Sequence, residues 1–260
     1  GERAWRFLEP MEVQCTYRRL SCSAVAVHGE GGEQVLAGVQ PEVVRIVTVV
    51  SEKEVAKILP RAHSEFGFGA AFSACGDLYV TCTTSPYICV YDREGWLVRE
   101  FGAEGSGEGQ LGNPSRLAFS PEGELFVTDM GNGRVQVFRE DGAFVREFRR
   151  QHMMSLMRFG GSFVPCHVCV APDSSIICSD FVSKKVHVFD GEGRFVRSIG
   201  SHGDGDGQLL DPSGLCVGAR GEILVADMER NDVQVFSKEG ALLQRIGVGG
   251  DTDVDLGRDV

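Results

Sequence analysis

No apolar run in the 260 residues approaches the ~18 that a membrane-crossing helix needs, so no such span is expected. The N-terminal GERAWRFLEP lacks the basic-then-apolar order of a secretory leader and has no initiator Met, as expected of a segment taken from a longer protein. No stretch keeps a 3.6-residue apolar period over ten residues; QHMMSLMRF (151–159) comes closest and is short. Positive charge is scarce. Lys and Arg total 26 against 37 Asp and Glu, a net charge of −11. Nucleic-acid binders use Lys and Arg to displace phosphate counterions. DNA and membrane surfaces are therefore not expected as partners, and RNA is disfavoured.

The residues that are abundant point to many turns and reduced thiols. Glycine occurs 34 times. The nine cysteines (15, 22, 75, 82, 89, 166, 169, 178 and 216) are odd in number and irregular in spacing, and most sit in apolar runs such as HVCV and GLCV. Reduced, mostly packed thiols and a cytoplasmic location explain them best.

The organising feature is a repeat. Pro114 to Arg150 reads as four short runs: RLAF (116–119), ELFVTD (124–129), RVQVF (134–138) and AFVREF (143–148). The runs are rich in Val, Ile and Phe, carry no internal Pro and are bounded by Gly, Pro, Asp and Ser, which marks strands. Glu/Asp-Gly before the fourth run supplies a tight hairpin. The pattern recurs over about 21–60, 67–102, 114–150, 165–200 and 212–247. Cys82, Asp129, Asp180 and Asp227 all end second strands, at separations of 47, 51 and 47 residues. A lone four-stranded sheet leaves both faces wet, whereas radial stacking buries each against its neighbours. The expected fold is all-β, a β-propeller of four-stranded antiparallel blades, five visible and six in total. The sixth is expected to be split between 1–20 and 248–260, and the whole chain to form one domain.

Two copies, GEGQLGNPSRLAFSPEGELFVTDMGNGRVQVFREDGAFVREF (107–148) and GDGQLLDPSGLCVGARGEILVADMERNDVQVFSKEGALLQRIG (205–247), resemble the NHL repeat. They share G-x-G-Q-L, a Pro, an apolar strand, V-x-D, an Asn, V-Q-V-F and E/D-G. The copies at 67–102 and 165–200 depart from it, with Cys82 at the Asp position and GGSFVP (160–165) replacing GQLxxP; the copy at 21–60 has Gly38 at the Asp position. Trp5 and Trp96 are not followed by Asp, so the WD signature is absent. The resemblance implies a recognition propeller. By analogy with TRIM-type NHL proteins it implies a substrate-recruiting part of a ubiquitin-ligase-type protein. Other NHL-like propellers bind RNA hairpins or act as metal-dependent amidating lyases.

Propeller geometry puts the inter-blade linkers and strand 2–3 loops on one face, the expected binding surface. The linkers 103–113, 201–211 and 151–164 carry −2, −3 and +1, and the loops 129–134, 180–185 and 227–232 carry 0, +1 and −2, a net −5. Candidate binding residues there are Asp129, Asn132, Arg134, Lys184, Lys185, Arg230 and Asn231. Met153, Met154, Met157 and Phe159 join them, from a linker that is apolar where its counterparts are Gly-rich and acidic. The recurring Asp129, Asp180 and Asp227 read either as a cation-binding ring or, more simply, as carboxylates accepting backbone N–H bonds. Cys166 and Cys169 point to opposite faces of a strand, which disfavours a shared metal. His63 and His167 lack the companions of a catalytic constellation, and no nucleophile elbow or phosphate loop occurs. A protein partner, no enzyme activity, no catalytic residue, no metal and no cofactor are the expectations.

Overall fold

The structure, a computed structural model, describes residues 24–247 apart from 31–32, 41–42, 49–53, 59–65, 83–85, 151–162 and 219, with side chains from Gly69 onward. Within these residues lie five four-stranded antiparallel sheets and no α-helix. Sheet 1 comprises β1 (Ala24–Glu30), β2 (Glu33–Gln40), β3 (Val43–Thr48) and β4 (Glu54–Ile58). Sheet 2 comprises β5 (Phe66–Phe72), β6 (Leu78–Cys82), β7 (Ile88–Tyr91) and β8 (Leu97–Phe101). Sheet 3 comprises β9 (Pro114–Phe119), β10 (Leu125–Asp129), β11 (Arg134–Phe138) and β12 (Phe144–Phe148). Sheet 4 comprises β13 (Pro165–Val170), β14 (Ile176–Asp180), β15 (Lys185–Phe189) and β16 (Phe195–Ile199). Sheet 5 comprises β17 (Pro212–Val217), β18 (Ile223–Asp227), β19 (Asp232–Phe236) and β20 (Leu242–Gly247). The sixth blade expected on 1–20 and 248–260 lies outside the described residues.

Each sheet is a meander in chain order, because each hairpin is too short to cross over. The first strands of successive sheets pack on one another, β1 on β5, β5 on β9, β9 on β13 and β13 on β17. This is the radial stacking of a propeller. It explains why β6, β10 and β14 are buried along their whole length: both faces of each sheet meet a neighbour, so the usual in–out alternation disappears. Among the residues with described side chains, the core lies in three inter-sheet layers. Ile88, Val90, Leu117 and Val127 fill the space between sheets 2 and 3. Phe126, Val137, Val168 and Phe189 fill that between sheets 3 and 4, and Ile177, Val188, Val225 and Phe236 that between sheets 4 and 5. Sheet 5 differs. Along β18 and β19, Ile223, Val225, Gln234 and Phe236 are buried, while Leu224, Ala226, Val233 and Val235 are only half-buried. One of its faces is therefore uncovered among the described residues.

The first strands of sheets 3, 4 and 5 begin at a proline, two residues before the apolar run. Proline has no N–H to leave unpaired, so the first position of a strand tolerates it. A register shift follows each of these prolines, and in sheets 3 and 4 a hydroxyl from the second strand bridges it, whereas in sheet 5 Ser213 Oγ donates to Ala226 O at 3.3 Å. Arg116 N donates to Thr128 Oγ1 at 2.8 Å and His167 N to Ser179 Oγ at 3.2 Å. In sheet 2, Gly69 N donates to Thr81 Oγ1 at 2.9 Å, and Thr81 Oγ1 reaches on to Ser115 O of sheet 3 at 3.1 Å.

Candidate interaction face

The linker face is assembled around one repeated position, the carboxylate that ends the second strand. Asp129 is fully buried and accepts from Gly112 N (2.8 Å), Asn113 N (3.2 Å) and Asn132 Nδ2 (2.7 Å). Arg134 lies beside it with 1% exposure. Its Nε donates to Asp129 Oδ2 at 3.0 Å, Nη1 to Ser106 O and Glu147 Oε2, and Nη2 to Gly107 O and Gln110 O. All five guanidinium donors are thereby used, the full inventory of the group. Gln136 completes the clasp, accepting from Gly109 N at 3.0 Å and donating to Gln110 O at 2.5 Å. The linker itself folds back, with Gly107 N donating to Gln110 Oε1 at 2.8 Å. This is the chemistry of the G-x-G-Q-L signature: its first glycine leaves room for the glutamine, whose carbonyl oxygen lies 2.9 Å from where a Cβ on Gly107 would stand.

The position is filled with other residues in sheets 5, 4 and 2. In sheet 5, Asp227 accepts from Leu210 N, Asp211 N and Arg230 N. Asp232 stands where Arg134 does, and the guanidinium comes instead from Arg230 of the loop, whose side chain is 4% exposed and pairs with Asp232 at 3.1 Å. In sheet 4, Asp180 accepts from Val164 N, Val182 N and Ser183 Oγ, with His187 Nε2 at 3.1 Å. Burial pushes the Asp180 carboxyl up, but these partners outweigh it and hold it below the ordinary range. Burial lowers the His187 pKa against the pull of Asp180. In sheet 2, Cys82 and Cys89 replace the polar pair, their Sγ atoms 3.2 Å apart, and the Cys82 partner together with burial raises the Cys89 pKa.

These contacts sort the sequence candidates. Asp129, Arg134 and Arg230 are buried parts of the clasp, and Asn132 spends its Nδ2 on Asp129 and Gly105 O. They shape the face, and Arg134 and Asn132 have no side-chain donor left for a ligand. Lys184, Lys185 and Asn231 do reach the surface, half-buried, half-buried and exposed. Met153, Met154, Met157 and Phe159 lie outside the described residues, as does His63. Phe163, at the end of the same linker, is buried against Phe189 and His187 at ring distances of 6.0 and 5.9 Å, so this part of the linker is core.

What sequence reasoning missed is the apolar crest of the loops. Phe181 is 48% exposed, Val182 49% and Met228 65%. They are linked into one patch across the junction of sheets 4 and 5. Lys184 Nζ sits 4.0 Å above the Phe181 ring and 3.3 Å from Asp211 Oδ1, and Met228 N donates to Asp211 O at 3.0 Å. Lys184 is held at φ 52°, left-handed backbone that Gly133 supplies in sheet 3. A non-glycine residue there costs about 1–2 kcal/mol. The available signal was the residue after each recurring Asp, namely Met130, Phe181 and Met228.

Other chemistry is sparse. Among the described residues no group of three His, Cys, Asp or Glu is placed to hold a metal ion. His167 is a single imidazole whose buried Nδ1 has no partner; burial, aided by Arg116, lowers its pKa to about 4. The seven described cysteines are all unpaired thiols. No described helix is long and apolar enough to cross a membrane.

The NHL repeat family model matches residues 111–138 and 209–236, which are the linker leucine through the third strand in sheets 3 and 5. Leu111 and Leu209, at the head of each match, are fully buried. Comparison with curated proteins returns no match. Among solved structures, a streptogramin B lyase superposes with a TM-score of 0.65 at 13% identity, over 89% of this chain and 71% of that one. A catalytically inactive virginiamycin B lyase from Staphylococcus aureus, solved with quinupristin, gives 0.64 at 13% identity, over 87% and 70%. A protein of unknown function from Bacteroides caccae gives 0.63 at 15% identity, over 86% and 81%. At such identities the likeness is one of fold. With two repeat matches set in a radial stack of four-stranded sheets, the chain is a β-propeller that carries NHL repeats in sheets 3 and 5.

Proposed function

We propose that this propeller is a non-catalytic protein-binding module that receives its partner on the linker face at the junction of sheets 4 and 5. The observation that carries this is the exposed Phe181, Val182 and Met228 crest with Lys184 and Asp211 between its two parts. Apolar side chains standing on a rigid, clasped loop are pre-ordered, so a partner pays little to order them. A ring, a flexible thioether and a polar border make up the core-and-rim composition of protein interfaces. The same face bears exposed Asp204 and Asp206, which speaks for a protein rather than RNA. Recruitment of substrates to ubiquitin ligation is the cellular role we attach to this reading, on the analogy of TRIM-type NHL proteins.

The test is a pair of variants, Phe181→Glu and Met228→Glu. Both side chains are exposed, so thermal unfolding should stay within about 0.5 kcal/mol of the parent. Crosslinked partners recovered with the parent chain should be lost from both. Retention of the same partners by both variants, or a salt-sensitive RNA shift that they abolish, would overturn the proposal.

A further inference from the structure

On the opposite face, a cavity of about 250 Å³ opens between sheets 4 and 5, bounded by the β13–β14 and β17–β18 turns and the turn before β20. Its walls are Ala171, Ile177, Val188 and Ile223, and its polar groups are Asp173, Arg197, Arg220 and Lys238. The equivalent junction of sheets 3 and 4 shows what is missing. There Arg146, at the middle of β12, makes a two-pronged pair with Glu124 (2.5 and 2.8 Å) and donates to Gly191 O of the next sheet at 2.8 Å. Arg197 is the same residue of β16. At the Glu124 position stands Ser175, too short to reach it, and Arg197 enters no ion pair among the described residues. Its Nη groups find no partner among the described residues, whereas those of Arg146 are taken by Glu124 and Gly191 O; Nε is buried without a partner in both arginines.

The neighbouring positions change in the same direction. The turn residue that is Gly191 in sheet 4 is Lys238 in sheet 5, and Asp173 of sheet 4 is matched by Arg220 of sheet 5. Between sheets 3 and 4 the matched positions hold Glu122, Glu124, Arg146 and Asp173, two negative charges net. Between sheets 4 and 5 they hold Asp173, Arg197, Arg220 and Lys238, two positive charges net. Asp173 is turned to its own loop, accepting from Ser175 N at 3.1 Å, and that bond lowers its pKa. Arg220 and Lys238 have only long, exposed pairs with Glu222 (3.8 Å) and Glu239 (3.9 Å), which hold side chains weakly.

We propose that this cavity is a binding site for a small monocarboxylic acid with an apolar body. The carboxylate takes the place that Glu124 occupies beside Arg146 and meets the Arg197 fork, whose planar geometry suits a carboxylate. Lys238 and Arg220 supply the attracting field at the mouth, and the aliphatic walls cover the apolar body. The volume falls below the roughly 300–1,000 Å³ of sites for drug-sized ligands, so the occupant is smaller than those.

The experiment is calorimetric titration of the whole chain with benzoate and with hexanoate, using benzamide and inorganic phosphate as controls. At least one acid should bind saturably, at least about tenfold tighter than benzamide or phosphate, since a hydrogen-bonded charge is being matched. Arg197→Gln should weaken it at least about tenfold by the same reasoning. Ser175→Glu should abolish binding and raise the melting temperature, because the new carboxylate closes on Arg197 as Glu124 does on Arg146. The proposal is overturned if neither acid binds at about 10 mM, which is weaker than any useful site. It is equally overturned if phosphate binds as tightly, or if the parent and Ser175→Glu, a surface change that leaves folding intact, bind the acids alike.

Discussion

Replacing Arg134 with methionine should be among the most damaging single changes on the linker face, although the residue sits at a loop end. Methionine keeps much of the aliphatic bulk, so packing is largely conserved while five hydrogen bonds are lost. Asp129 keeps Gly112 N, Asn113 N and Asn132 Nδ2 but loses its cation at 0% exposure. Ser106 O and Gly107 O lose this donor together, and Gln110 O is left with Gln136 alone. Breaking a buried pair from one side costs about 3–5 kcal/mol, which for a domain of this size is a fall in melting temperature on the order of 10 °C. Arg134→Lys should recover only part, since an ammonium cannot span Asp129 and three carbonyls with a fixed fork. Arg139→Ala is the matched control. Its pair with Asp141 is exposed, 66% and 60%, at 3.4 Å, and should cost less than about 1 kcal/mol. Chemical denaturation gives the energies, and hydrogen exchange at Gly107, Gly109 and Gly112 reports whether the linker has opened. A loss below about 1 kcal/mol for Arg134→Met would refute the clasp, as would unchanged protection of those three amides.

Three further outcomes follow from the same contacts. Gly193→Ala should cost more than about 2 kcal/mol, because a Cβ would lie 2.5 Å from the Phe148 ring at φ 84°, whereas Gly123→Ala meets nothing nearer than 3.6 Å at φ 85° and should cost only about 1–2 kcal/mol of backbone strain; denaturation of the two variants decides. Acid should destabilise the fold through His167: its folded pKa of about 4 lies below the unfolded value, so its contribution is full above about pH 6.5, falls as pH drops from there to about 4, and amounts to roughly 3 kcal/mol, a slope that His167→Gln should remove from pH-dependent melting curves. Native-state alkylation followed by mass spectrometry should label the exposed Cys75 and Cys216 and spare the buried Cys82, Cys89 and Cys178 until the chain unfolds.

The strands were legible because each is a short apolar run between turn formers, and the repeat confirmed each copy against the others. Ends were misplaced where a side chain rather than the pattern sets them. RLAF, HVCV and GLCV begin two residues late as read from sequence, since the strands start at Pro114, Pro165 and Pro212 and pass a register shift that Thr128, Ser179 and, in sheet 5, Ser213 span with a hydroxyl. The recurring Asp was legible as a backbone acceptor, but its main reach, to the preceding linker 16 or 17 residues away, is invisible in local pattern. Arg134 and Arg230 read as surface cations because charge near a loop is ordinarily solvated. Only the three-dimensional count of their acceptors shows them to be internal. Phe181 and Met228 were passed over for the opposite reason: a single apolar residue in a polar loop carries no periodicity.

A repeat protein offers an internal control that a single-copy fold does not. Where sheets 3 and 5 keep the same job from different positions, as Arg134 and Arg230 do when they grip the linker carbonyls, the job belongs to the scaffold. Where a job is dropped and nothing in the chain takes it over, the position has been released from the scaffold. Arg197 beside Ser175 is such a case, without the carboxylate that Arg146 has in Glu124. It lies at the junction of sheets 4 and 5, whose other face carries the Phe181 and Met228 crest. Sheets 2 and 3 show the alternative on the turn side, where Tyr79 Oη donates to Glu140 O at 2.8 Å and accepts from Arg99 at 3.3 Å, joining the two sheets. From the 3–4 junction to the 4–5 junction the matched turn-side positions go from two negative charges net to two positive, a change that packing alone does not call for.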